Sequence, residues 1–249
     1  MNSDLALNNL AEEMLNADRI VILTGAGMSA ESGIGTFRGI KGYWSKYNPM
    51  ELASMDGFRK NPEIVWKWYQ ERYKSVINNS PHAGHYAISE LQKTLCEIVV
   101  ITQNVDGYHQ QAGTDNVLEL HGSIVNFKCV DCEKVHNKKL VDGVINHCEY
   151  CNGHIRPDVV WFGEQLPFET LKEAENKSSD CDVIISIGTS SEVYPAAGLP
   201  IIAKNHGAKV VEINPNITKL SNEADIIIRE SAKSFLPKLK ERVFQIKEK

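Results

Sequence analysis

No stretch of the 249-residue chain approaches the roughly 18 consecutive apolar residues that a membrane span needs. The N-terminal segment MNSDLALNNLAEEMLNADR is acidic and amphipathic, which a signal peptide is not. With short ends flanking the patterned region, we expect a bare monomeric core in the cytoplasm, with no targeting or regulatory extension and no membrane partner. Excess positive charge is lacking as well. The 27 Lys and Arg face 32 Asp and Glu, a formal net charge of −5, so the chain has no general means of displacing counterions from nucleic acid. Internal repeats and low-complexity segments are missing. A disulfide framework is not expected either, because four of the six cysteines fall in two C-x-x-C pairs, a metal spacing that fits a reducing compartment.

What is present is an alternation of strand-like and helix-like segments. Amphipathic spacing predicts helices over 8–16, 62–77, 85–95 and 235–247. Short apolar runs predict strands over 21–23, 97–102, 117–120, 183–187, 209–213 and 225–228. This is an α/β pattern, a doubly wound and mostly parallel sheet with helices on both faces. At 42% hydrophobic content the length allows one full domain and a smaller module. In such a sheet the site lies beyond the carboxyl ends of the strands. Those ends read Thr24-Gly25-Ala26-Gly27, Thr102-Gln103-Asn104-Val105-Asp106, Leu120-His121-Gly122, Gly188-Thr189-Ser190-Ser191 and Ile213-Asn214-Pro215-Asn216. Small hydroxyls, amides, one carboxylate and one imidazole suit a ligand made of phosphates, riboses and an amide.

The run VILTGAGMSAESGIGTFRG, residues 21–39, carries the sharpest signal. Gly25, Gly27 and Ala30 fit G-x-G-x-x-G/A, whose glycines permit a tight turn and a close approach to pyrophosphate. A helix starting near Ser29 would aim its amides at those phosphates. Alone, the match also fits an ordinary strand-to-helix turn. A dehydrogenase-type fold would place an acidic residue about 20 positions later, at the end of a second strand. Here that region reads Gly42-Tyr43-Trp44-Ser45-Lys46, with no strand. Instead, Phe37 and Arg38 bring a ring and a guanidinium beside the phosphate site. Hydride transfer has no evident use for that pair, whereas a site that covers a sugar while its bond to a leaving group is cleaved could use both.

Cys129-x-x-Cys132 and Cys148-x-x-Cys151 have 15 residues between them, the spacing of a four-thiolate zinc site. Each pair can grip tetrahedral Zn²⁺ from one knuckle, making a closed, structural site. Disulfide exchange at a C-x-x-C is the alternative. Four thiolates fill the shell, so His136, His147 and His154 are expected at the surface, and Cys96 and Cys181, beside apolar strands, in the core.

The ordered series G-A-G, T-F-R, T-Q-N-V-D-G, H-G, four cysteines, F-G-E, G-T-S and I-N-P-N resembles the sirtuin family of NAD-dependent protein lysine deacylases, from about residue 16 to about 240. The resemblance implies a Rossmann-like domain over 1–38, 86–127 and 157–249. A small domain would comprise a helical insertion over 39–85 and the zinc ribbon over 128–156. It places Gly25, Ala26 and Gly27 on the pyrophosphate, Phe37 over the nicotinamide-ribose bond, and Arg38 beside the phosphates, with Thr36 in the same cofactor-binding set. Gln103, Asn104 and Asp106 surround the nicotinamide end, Gly188, Thr189, Ser190 and Asn214 hold the adenosine half, and Ala232 lies against the adenine. His121 matches the general base, with Asn104 and Asp106 in the same catalytic set. An imidazole titrating near pH 6.5 is the natural base in any case. The alternative for His121 is a histidine capping a strand end, the role expected of His82, His85, His109 and His206. Val160, Phe162, Gly163 and Glu164 pair with an acyl-lysine peptide as an added strand, and Val193 and Tyr194 flank its other side. The products implied are nicotinamide, free lysine and O-acyl-ADP-ribose.

Within 66–72, Tyr69 and Arg72 stand three apart on one helix face. A phenol beside a guanidinium makes a carboxylate receptor. The pair resembles the class III branch of the sirtuins, which removes malonyl, succinyl and glutaryl groups, and Ala53 leaves room for the longer acyl chain. An ordinary exposed helix pair is the alternative. Gly35 departs from the proline usual in the family, which frees backbone that proline would fix, by up to about 1 kcal/mol; Met28 is a mild exchange for isoleucine. ADP-ribosyl transfer, NAD hydrolysis, a plain deacetylase and a NAD-sensing module stay open beside an acidic-acyl deacylase.

Overall fold

The computed structural model describes residues 3–37, 42–136 and 147–248. The chain opens with α1 (Ser3–Asn16), β1 (Arg19–Thr24) and the single-turn α2 (Ala26–Ser29). A helical stretch follows, α3 (Pro49–Leu52), α4 (Met55–Lys60) and α5 (Pro62–Ile77), then α6 (Ala83–Thr94) and β2 (Glu97–Thr102). Next come α7 (Tyr108–Gln111), β3 (Val117–Glu119), β4 (Gly122–Cys129), β5 (Val135–His136) and β6 (Ile155–Val159). The last part holds α8 (Phe168–Asp180), β7 (Val183–Ile187), α9 (Leu199–Asn205), β8 (Lys209–Ile213), β9 (Ile226–Ile228) and α10 (Ala232–Lys247).

Six strands form one sheet in the order β3-β2-β1-β7-β8-β9, every pair parallel. Numbered along the chain within this sheet, the order is 3-2-1-4-5-6, the doubly wound dinucleotide-fold arrangement, with its crevice between the first and fourth strands, β1 and β7. Strands covered on both faces read as continuous apolar runs, and β1, β2 and β7 are buried along nearly their whole length. Leu10, Met14, Ile88, Leu91, Phe235 and Leu239 of α1, α6 and α10 cover one face. Ala174, Leu199 and Ala203 of α8 and α9 cover the other.

Two of these coverings escape a pattern search for physical reasons. Helix α8, FETLKEAENKSSD, buries only Ala174 and Ser178, and α9 is seven residues long. A second sheet, β5-β4-β6, is antiparallel. It begins at Gly122 and ends at Val159, so it crosses both boundaries expected around the ribbon. Its register shifts between Ser123 and Phe127, and Pro157 lies in β6, which together blur the two-residue alternation. A third core, with Phe58, Val65, Trp68, Tyr69, Ile124 and Trp161, joins this sheet to α4 and α5. Among the described residues no helix is long and apolar enough to cross a membrane.

Candidate active site

The carboxyl ends of β1 and β7 are held together by glycines. The Gly25 amide donates to the Ile187 carbonyl at 3.0 Å and the Gly27 amide to the Gly188 carbonyl at 2.8 Å. A Cβ on Gly25 would sit 2.8 Å from the Thr189 Cβ, and one on Gly27 2.7 Å from the Gly188 oxygen. Gly188, at φ +62°, would press a Cβ to 2.4 Å from the Met28 nitrogen. These glycines therefore let two strand ends touch, and two of the amides expected to face an anion are donated within the protein. The turn is also tighter than expected. Helix α2 begins at Ala26 rather than near Ser29, directly after the pinned, extended Gly25, and a 3-10 turn continues it over Ala30–Ser32.

Above these ends opens a cleft of about 1010 Å³, at the upper end of small-molecule sites. Gly25, Ala26, Gly27, Thr36, Phe37, Gln103, Asn104, His121, Gly188, Thr189, Ser190, Asn214 and Ala232 all line it. So do Ala53, Tyr69, Arg72, Val160, Phe162, Gly163, Glu164, Val193 and Tyr194. Two expected members stand apart. Arg38 lies outside the described residues. Asp106 is buried and absent from the lining; its carboxylate accepts the Tyr108 amide at 3.0 Å, at the start of α7. Burial raises its pKa.

The polar strand ends are tied to one another. Gln103 Nε2 donates to Thr189 Oγ1 at 3.1 Å, Asn104 Nδ2 to Ser29 Oγ at 3.1 Å, and Asn214 Nδ2 to the Thr189 carbonyl at 2.9 Å. His121 leads into β4 through Gly122, at φ +73°, where a Cβ would fall 2.1 Å from the Asp158 oxygen. Only glycine permits that turn. His121 Nδ1 lies 3.0 Å from the Gln103 carbonyl. A carbonyl only accepts, so Nδ1 carries the proton and Nε2 is the basic atom. Burial pushes this imidazole below its usual range, opposed by the bond to Gln103, so it is neutral and ready to take a proton at pH 7.

Tyr69 and Arg72 are not an exposed helix pair, being 5% and 6% exposed. The Arg72 guanidinium carbon lies 4.3 Å from the Phe37 ring centroid, 4.9 Å from Tyr43 and 4.8 Å from Trp68. These faces favour the charge, yet Arg72 Nε and Nη1 have no hydrogen-bond partner among the described residues. Idle donors on a buried cation are costly, and a carboxylate is a group that would engage such a donor with a charge-assisted bond. Tyr69 Oη accepts from Trp161 Nε1 at 2.8 Å, and burial pushes its pKa up to about 12. Trp44, Trp68 and Trp161 complete this wall. The aromatic density of 66–69 is visible in the sequence, but which ring meets the guanidinium depends on packing. Gly35 has a local reason too, for a Cβ there would lie 2.8 Å from the Tyr43 ring.

The four ribbon cysteines place their sulfurs within 4.8 Å of one another. Cys129 and Cys151 are 3.4 Å apart, and Cys132 and Cys148 3.6 Å. Those spacings are too long for disulfides and near the ~3.8 Å edge of a tetrahedron with ~2.3 Å Zn–S bonds. The Asp131 and Tyr150 amides point at Cys129 and Cys148 Sγ at 3.4 Å. The thiolates thus fit a structural zinc.

Other expectations are corrected. His136 is buried and not on the surface, because β5 turns it against Tyr150; His154 is partly buried and His147 exposed. Cys181 is buried as expected, but Cys96 is exposed, standing just before β2 at the bottom of the sheet. His82 caps α6, accepting from the Gly84 amide at 3.0 Å, and His206 sits 2.9 Å from the Ile202 carbonyl at the end of α9. His85 and His109 are buried but only half partnered, with His85 Nε2 and His109 Nδ1 unmatched among the described residues.

The comparisons with known proteins agree with this geometry. The Sir2 family profile matches residues 25–195. NAD-dependent protein deacylase 2 of Pyrobaculum aerophilum is 48% identical over 236 residues, covering 94% of this chain and 95% of its own. A crystal structure of a Sir2 homolog–NAD complex superposes with a TM-score of 0.90 at 41% identity, covering 96% of this chain and 94% of the other. The structure of Sir2Af2 bound to a myristoylated histone peptide has a TM-score of 0.80 at 35% identity, covering 98% and 99%. The chain belongs to the Sir2 family.

Proposed function

We propose that this NAD-dependent protein deacylase removes acidic acyl groups, succinyl and malonyl, from lysine, and acetyl besides, yielding nicotinamide and O-acyl-ADP-ribose. The observation that carries the acyl preference is the buried Arg72 guanidinium, with idle Nε and Nη1, set beside Tyr69 in the cleft wall. A neutral acetyl group leaves those donors unpaired, whereas a carboxylate at the end of the acyl chain engages them. Ala53, which also lines the cleft, adds little bulk to the path.

When bound, NAD supplies the ribose carbon and hydroxyl that take up the acyl group. Gly25, Ala26, Gly27, Thr36, Phe37, Arg38, Gln103, Asn104, Gly188, Thr189, Ser190, Asn214 and Ala232 would hold it. His121 Nε2 would take the hydroxyl proton, with Asn104 orienting the sugar. Asp106 would act from below, by holding the 103–108 turn. The peptide would lie between the stretch 160–164 and Val193–Tyr194. The amides of Val160, Phe162 and Glu164 are already donated to His121, Ala53 and Trp161 carbonyls, and that of Trp161 to Glu164. An added strand therefore meets this side through its carbonyls and Gly163. Cys129, Cys132, Cys148 and Cys151 would carry one structural zinc.

The test is a mass-spectrometric comparison of NAD-dependent succinyl and acetyl removal from one lysine peptide. Succinyl removal should dominate, and Arg72→Met should lower the succinyl-to-acetyl ratio about a hundredfold, the loss of a buried charge-assisted hydrogen bond. Dominant acetyl removal that ignores Arg72 would make the protein a plain deacetylase.

A further inference from the structure

We propose that Trp161 is a positioning residue that sets the direction in which Tyr69 donates its proton, and that it thereby sharpens selection of acidic over neutral acyl groups. The inference rests on the carboxylate-receptor reading of Tyr69 and Arg72. An indole N–H donates and cannot accept. With Trp161 Nε1 2.8 Å from Tyr69 Oη, the phenol oxygen accepts there, and its own hydrogen must point away from the indole.

The indole is held so that it cannot swing. Trp161 is 2% exposed, and the Arg156 guanidinium carbon lies 3.9 Å from its ring centroid. Its amide donates to Glu164 Oε2 at 2.8 Å, and the same carboxylate takes Arg156 Nη2 at 2.9 Å. Phe58 packs at 5.3 Å between ring centroids. Arg156, Glu164 and Trp161 thus form a clamp that aims the indole N–H at Tyr69, while Arg156 Nε and Nη1 have no partner among the described residues. Without that donor, the Tyr69 oxygen is free to accept from the idle donors of Arg72, one turn along the same helix. The receptor would then satisfy itself, and a carboxylate would have to compete with a neighbouring phenol.

Steady-state kinetics on succinyl- and acetyl-lysine versions of one peptide test this. Trp161→Phe keeps an aromatic ring, though a smaller one, and removes the N–H; the succinyl-to-acetyl ratio of kcat/KM should fall about tenfold, the effect of one misdirected hydrogen bond to a charge, and through succinyl KM rather than kcat. Tyr69→Phe should give a similar fall, and the double variant no further one. A ratio untouched by Trp161→Phe while Arg72→Met collapses it overturns the Trp161 proposal and leaves the receptor standing, as does a multiplicative double variant, the mark of mere packing. A ratio indifferent to Arg72→Met removes both. Should Trp161→Phe not fold, the four indole N–H signals of the wild type can be assigned through Trp44→Phe, Trp66→Phe and Trp68→Phe. The Trp161 signal should then shift with the succinyl peptide and not with the acetyl peptide; an equal response overturns the proposal.

Discussion

The cleft has two walls of different construction. One is backbone and small polar groups at the ends of parallel strands, with glycines where two loops touch. The other is a guanidinium enclosed by Phe37, Tyr43 and Trp68, with Trp44 stacked on Trp68 at 5.7 Å. The first is stiffened by ladder hydrogen bonds and would meet the cofactor common to every acyl substrate. The second is made by packing between separate segments and would meet only the part of the substrate that varies. Changes in the strand-end wall should therefore alter all substrates alike, and changes in the aromatic wall the ratio between them.

The sharpest separation should come from His121→Ala. Turnover of succinyl and acetyl peptides should fall together by roughly 10²–10⁴-fold, the usual contribution of a general base, while calorimetry still detects NAD. A change in the ratio instead would place His121 on the acyl side. Gly188→Ala tests the same wall by steric means. At φ +62° with 2.4 Å to the Met28 nitrogen, the methyl should cost about 2 kcal/mol, lowering the melting temperature by about 4–8 °C and raising KM for NAD equally with either peptide.

Acid separates the walls more gently. His121 works unprotonated, so activity should be lost as pH falls through a value below 6.5. The phenol of Tyr69, at about 12, keeps its proton throughout, so selectivity measured from pH 6 to 9 should stay flat while the rate changes. Stability has its own acid limb. His85 and His109 are held neutral by burial, down to about 2 and about 4, against ~6.5 in an unfolded chain. Below pH 6.5 the unfolded state binds more protons, so stability present above 6.5 should fall towards pH 4, on the order of 1 kcal/mol per pH unit for each histidine. A melting temperature independent of pH between 7 and 5 would contradict this. The smallest expected effect is that of Gly35→Ala, whose methyl crowds the Tyr43 ring; succinyl KM should rise two- to fivefold with little change for acetyl, roughly 0.5–1 kcal/mol of displaced cage.

The strand-end wall was largely legible because each of its parts is a contiguous run, such as 24–27, 103–106 or 188–190, attached to a strand that apolar continuity reveals. The cysteine ribbon was legible for the same reason, its ligands being fixed by spacing within two short knuckles. Helix α8 was missed because a polar helix that buries two small residues carries almost no periodic signal.

By itself, the sequence determined the alternating α/β order, the polar ends of the strands, the thiolate quartet and the pairing of Tyr69 with Arg72 on one helix face, since all of these follow from local spacing. Only the tertiary structure decided what covers each face: that Arg72 is caged with donors idle, that Trp161 reaches Tyr69, that Asp106 turns beneath the cleft, that His136 is buried and Cys96 is not. Periodicity states which residues share a side, but burial and the direction of a hydrogen bond depend on groups distant in the chain, and these meet only when the two sheets and the helices between them have packed.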